Sequence, residues 1–206
     1  MIKIKKDLKK SIVFSLIFIL LFLLIVVLKS SFQVNHYYDN PTATISELTV
    51  SNSNTNLLAY FTLNIEKSNI LKQVLISGVP IKFLYYIRLY IPNSHLISFF
   101  KYDIADKILI KTVSYDSIKG TYQIHIIGSN IQTITVNSFK DVLNNICQIN
   151  DLPITSLSNL KKGEQHILKV KVEAKKVLTS VPLKGILSIF SSDIFETNWY
   201  EIKFTY

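Results

Sequence analysis

Asp103 and Asp106, with Asp116 nearby, are the best candidate carboxylate group in this 206-residue sequence. Acids brought together in a fold can carry glycosidase-type proton transfer, and acids spaced along a suitable loop can hold calcium. No loop with the required ligand spacing surrounds these three, and the plain reading is turn residues. The four histidines, His36, His95, His125 and His166, lie far apart and never form H-x-H or H-E-x-x-H, so no local metal motif exists. A metal site assembled from distant strands is the alternative to satisfied or exposed imidazoles. The five glycines, Gly78, Gly120, Gly128, Gly163 and Gly185, stand mostly at expected turns. They build neither a phosphate-cradling loop nor a nucleophile elbow. Serine, histidine and aspartate are plentiful enough to draw many triads, so drawing one is no evidence. Cys147 is the single cysteine, which removes two-cysteine redox motifs and thiolate zinc sites. It falls on the apolar side of an expected helix and reads as a buried thiol, with intermolecular pairing as the alternative. The expectation is a protein without catalytic residues, cofactor or metal, acting by binding.

Binding chemistry is better represented. Residues 81–91 (IKFLYYIRLYI) alternate with period two, the mark of a strand, and form the longest strand expected. Ile81, Phe83, Tyr85, Ile87, Leu89 and Ile91 make one unbroken apolar face. Lys82, Leu84, Tyr86, Arg88 and Tyr90 make the other. Tyr86, Arg88 and Tyr90 are the candidate partner-binding residues, because Tyr and Arg are enriched at binding hot spots. Side chains two apart stand about 7 Å from each other along a strand, close enough for one contact patch. Two other readings stay open: a merely wet outer face, or a face covered by the helix expected over 139–149.

The elements that position this strand follow from period and punctuation. Strands are expected over 42–50, 57–65, 81–91, 107–115, 122–127, 131–136, 167–177 and 199–206, with helices over 69–77 and 139–149. Ser68 can cap the first helix, and Gly78 with Pro80 stops it. Ser138 and Asp141 resemble a capping box for the second. In residues 167–177, Leu168, Val170, Val172 and Ala174 face one way, and Lys169, Lys171, Glu173 and Lys175 the other. Eight strands and two short helices imply a mainly β, antiparallel, sandwich-like domain over 42–206, with the helices plugging an open end or one face.

Residues 11–28 (SIVFSLIFILLFLLIVVL) contain no charge, Pro or Gly. As a helix they just reach across the ~30 Å hydrocarbon core of a bilayer. Of the 23 basic residues, five fall within residues 1–10 and one is Lys29, against one of the 14 acidic residues, Asp7. The positive-inside rule keeps the basic tail cytoplasmic and exports the domain. A cleaved signal peptide is the rival reading. The length of the run and the absence of an A-x-A-like site after it favour an uncleaved signal-anchor. A juxtamembrane connector over 29–41 follows, in which Tyr37 and Tyr38 are either interfacial anchors or the start of the fold. Beyond Lys29 the balance is 17 basic to 13 acidic residues, too even for a nucleic-acid footprint. The high pI instead suits anchoring at an anionic inner leaflet.

Three stretches in order carry a family resemblance: Val79-Pro80 after Gly78 and before an aromatic strand; Tyr115-Asp116 followed by Gly120-Thr121-Tyr122; and Phe195-Glu196-Thr197-Asn198-Trp199-Tyr200. From about residue 42 to 206 the chain resembles the proteobacterial domain of unknown function family 4390, uncharacterised single-pass envelope proteins. The resemblance implies a bacterial inner-membrane protein with a periplasmic domain. It also implies an accessory role in envelope sensing by a two-component sensor kinase, with another envelope protein as partner. It carries over no functional residues. The alternative function is a carrier or chaperone for an apolar or lipid ligand, which has the same anchor-plus-β layout.

Overall fold

The structure is a computed structural model and describes residues 41–92, 102–177 and 193–206. The expected span over 11–28 and its flanks lie outside the described residues. Among the described residues no helix is long and apolar enough to cross a membrane.

Two antiparallel sheets carry the fold. The smaller is ordered β1 (Ala43–Asn52), β2 (Asn56–Ile65), β7 (Gln148–Ser156). The larger runs β10 (Tyr200–Thr205), β8 (Gln165–Lys176), β3 (Ile81–Ile91), β4 (Tyr102–Asp116), β5 (Thr121–Ile127), β6 (Ile131–Val136), with β9 (Asp193–Glu196) beside the far half of β8. The elements belong to one compact unit, Asn40–Tyr206. The apolar alternation behaves as read. Ile81, Phe83, Tyr85, Ile87 and Leu89 of β3 and Leu168, Val170, Val172 and Ala174 of β8 are buried in one core. Leu57, Ala59, Phe61 and Leu63 of β2 join them from the smaller sheet. Each fully buried large side chain contributes about 1.5–3 kcal/mol, so the core holds the domain with Cys147 as a free thiol.

Helix α1 (Asn69–Ile76) buries Leu71 and Leu75 and packs on β3 and β4. Gly78 has φ +85° and returns its N–H to the Leu75 carbonyl at 2.9 Å, the left-handed helix end glycine allows. Ser68 occupies the N-cap, but its side chain makes no capping hydrogen bond. Helix α2 (Phe139–Cys147) buries Val142 and Ile146. It contacts β2 and β7 on one side and β5 and β6 on the other, wedging between the sheets. Ser138 caps it by accepting the Asp141 N–H at 3.1 Å. The Ser138 hydroxyl also donates to the Asp141 carboxylate at 2.6 Å.

Several expectations need correction. Among the described residues there are ten strands. The helix expected to reach 149 stops at Cys147, because the next residues pair as β7 with β2, Ile149 opposite Phe61. Pro153 is tolerated in β7 because that strand lies at a sheet edge. The longest strand is β4, with 15 residues, against 11 for β3. Asp103 and Asp106 therefore sit on a strand and not in a turn. Asp116 ends β4 and accepts the Ile118 and Lys119 N–H groups at 3.0 and 3.1 Å, so that one does build a turn.

Candidate functional site: the outer face of the larger sheet

Cross-strand register decides what shares the solvent side of the larger sheet. Arg88 lies between Lys169 on β8 and Asp106 on β4, and Tyr86 between Lys171 and Ile108. One row further on, Leu84 follows Glu173 and leads to Ile110, Ile127 and Ile131 on β4, β5 and β6. Tyr86, Arg88 and Tyr90 are thus on the side of β3 opposite its buried set, as their spacing requires. Helix α2 packs on the inner side and does not cover them.

On the β8 side of this face the charges are mutually satisfied. Glu173 accepts the Tyr86 hydroxyl at 3.1 Å and pairs with Lys171 at 3.0 Å and Lys175 at 2.9 Å. Lys171 also pairs with Glu196, and Lys169 meets Glu201 at 2.8 Å. Burial pushes the Glu173 carboxyl up, but its bonds from Lys175, Lys171 and Tyr86 outweigh that and hold it below the ordinary range. Burial and the bond to Glu173 together raise the Tyr86 phenol. Carboxylate hydrogen bonds raise Lys169, Lys171 and Lys175.

The three candidates consequently differ. Tyr90 is buried beneath Lys169, whose ammonium lies 5.5 Å from its ring. Tyr86 is half-buried and bonded to Glu173. Arg88 is the exposed member, with half its side chain accessible, 3.3 Å from Asp106 and 5.3 Å from the Trp199 ring. The patch is one exposed guanidinium framed by Asp106 and Trp199, with the two tyrosines tied into the sheet.

Toward β6 the same face carries an aliphatic strip, bordered by the polar row Thr112, His125 and Thr133. Ile108 is 49%, Ile127 40% and Ile131 73% exposed, with Leu84 and Ile110 half-buried beside them. Reading β3 by itself misses this strip, because it exists only once four strands are in register. The remaining sequence candidates stay apart. Asp106 is committed to Arg88. His125 shares a 2.7 Å hydrogen bond with Thr133, and His166 is buried against Phe204. His36 and His95 lie outside the described residues. No cluster of three metal-type ligands occurs among the described residues.

Fold and surface define a mainly β domain of two antiparallel sheets and two helices, its outer sheet face charged on the β8 side and carrying an aliphatic strip on the β4–β6 side. The chain belongs to the family described as Domain of unknown function (DUF4390), whose family model matches residues 40–203. No curated protein and no solved structure matches the chain.

Proposed function

We propose that this protein is a membrane-anchored docking module of the bacterial envelope. Residues 11–28 hold it in the inner membrane, residues 1–10 remain cytoplasmic, and the domain works in the periplasm by binding another envelope protein, not by turnover. An accessory role in sensing by a two-component kinase is the setting this reading suits. The observation that carries it is the strip Ile108–Ile110–Ile127–Ile131, aliphatic side chains brought side by side by strand register, three of them exposed, on a face that no element among the described residues covers. Contiguous exposed apolar surface of this kind marks interaction sites. Arg88 and Trp199, both frequent hot-spot types, lie on the same face. A carrier needs an apolar interior open at an edge. Here Phe61, Phe83, Tyr85 and their neighbours pack the centre of the core, and the openings at its margins are lined in good part by polar residues such as Ser51, Asn52, Lys162, Asn144 and Gln148, which favours docking over carriage.

Site-specific photocrosslinking in intact cells tests the proposal. A benzophenone amino acid at position 127 should give a discrete adduct, and one at position 175, in the charge-paired half, should not. Adducts of equal yield at both positions, or none at 127, would overturn it.

A further inference from the structure

The inward positions of β4 read Leu109, Lys111, Val113, a lysine where the core pattern calls for an aliphatic residue. Lys111 is 7% exposed. Its ammonium donates to the Asn145 carbonyl in the last turn of α2 and lies 5.5 Å from the Tyr85 ring. Capping a helix C-terminus suits a cation, but a buried charge ordinarily also has a counter-charge. Among the described residues none pairs with Lys111. The titratable groups facing it are neutral: the Cys147 thiol, pushed by burial up to about 11, and the Tyr85 phenol, whose hydroxyl donates to the Ile146 carbonyl at 2.7 Å. From β5 the opposed residue is Ile126. β7 offers Gln148, Ile149 and Asn150, and Lys107 is turned to the Pro153 carbonyl at 3.0 Å.

Lys111 also borders open space: with Asn144, Asn145, Gln148 and Asn150 it lines an open groove of about 420 Å³ between β4–β5 and α2–β7, in which the Asn145 amide is held by the Asp141 carbonyl at 2.8 Å. We propose that this groove is a binding site for a small carboxylate, whose charge pairs with Lys111 and whose oxygens take hydrogen bonds from the surrounding carboxamides. An ammonium has three N–H groups, and the one described hydrogen bond here, to Asn145, leaves donors for a ligand. One cation beside the carbonyl end of a helix balances a single negative charge, so a carboxylate fits better than a phosphate dianion. The site is separate from the outer face, and its failure leaves the docking reading untouched.

Acetate titrated into the full-length chain in detergent micelles, at constant ionic strength against chloride, tests this. The side-chain carboxamide carbon resonances of Asn144, Gln148 and Asn150, read by carbon detection so that proton exchange at high pH does not erase them, should shift saturably at pH 7, and inorganic phosphate should bind more weakly. Burial lowers the Lys111 ammonium to about 8, so affinity should fall at least about tenfold by pH 10 as the cation is lost. Lys111→Met should abolish the shifts while the backbone spectrum remains folded, and Lys111→Arg should retain them. Shifts that are the same at pH 7 and pH 10, equal with chloride alone, or unchanged in a folded Lys111→Met would overturn the proposal. The comparison of pH 7 with pH 10 needs no variant, so it decides the matter even where Lys111→Met fails to fold.

Discussion

On β8, β9 and β10 the outer face of the larger sheet is a charge network, with Glu173 taking Tyr86, Lys171 and Lys175 at once. On β4, β5 and β6 the same face presents Ile108, Ile127 and Ile131 to water. Both halves share strand β3 and stand on one continuous core, so the fold does not require them to differ. A face that needed only solubility would repeat the first solution across the sheet. Satisfied charges cost a partner their desolvation and return little, whereas aliphatic side chains return free energy when covered. The difference assigns the first half to holding the sheet and the second to meeting something else.

The largest expected effect comes from spoiling the aliphatic half. Ile127→Glu combined with Ile131→Glu should weaken partner binding by about 2 kcal/mol or more, a hot-spot-sized loss. Surface substitutions of this kind leave stability within about 0.5 kcal/mol, so a urea melt should hardly move. A melt that collapsed instead would place these residues in the core and erase the contrast.

Spoiling the charged half should do the reverse. Glu173→Ala should cost about 1–2 kcal/mol of stability, since it strips a shared acceptor from partners that remain partly solvated, and leave partner binding intact. The Glu173 carboxyl is held below its ordinary range when folded. Its contribution is therefore present at neutral pH and lost as the pH falls through the folded value. The acid limb of the stability curve should be shallower in Glu173→Ala than in the parent.

Lys111 sharpens the comparison because it is a cation on the inner side of the same sheet. Its pKa is about 8 when folded against 10.5 as an ordinary lysine, so the unfolded chain binds more protons between those values. Stability should then rise with pH through this window, by about 1 kcal/mol from pH 8 to 9. Above pH 9 the Cys147 thiol, raised to about 11, pulls the other way and the curve bends over. Lys111→Met should remove the rise.

Much of this arrangement was legible before any coordinates. The two faces of β3, the stop at Gly78 and the cap at Ser138 all follow from local stereochemistry, and local stereochemistry is what a sequence states directly. Strand β7 was hidden because Ile149 continues the helical spacing of α2, and Pro153 reads as a loop unless the strand is known to be an edge. The aliphatic strip was hidden for a different reason. Ile108, Ile110, Ile127 and Ile131 become neighbours only through antiparallel register, which depends on which strands pair. Lys111 had left a trace, a lysine between Leu109 and Val113, but its uncompensated burial depends on the end of α2. The spacing of Tyr86 and Tyr90 puts them opposite the apolar set of β3, but their engagement with Glu173 and Lys169 comes from β8.

The smallest expected effect belongs to Arg88. Its pair with Asp106 is half exposed, so Arg88→Glu should cost no more than about 1 kcal/mol of stability. Partner binding should fall less than with the isoleucine changes, because Arg88 sits at the boundary of the two halves. Unfolding of this variant would show that Arg88 holds the sheet and belongs to the charged half.

Thiol accessibility in intact envelopes tests the division of this face most directly. Cys147→Ser removes the native thiol, and Ile127→Cys or Lys175→Cys then reports on one half each. Position 127 should react with a membrane-impermeant maleimide severalfold more slowly in intact envelopes than in the purified protein, and position 175 at the same rate in both. Equal reactivity of position 127 in envelopes and in purified protein would contradict the assignment of the aliphatic half to a partner.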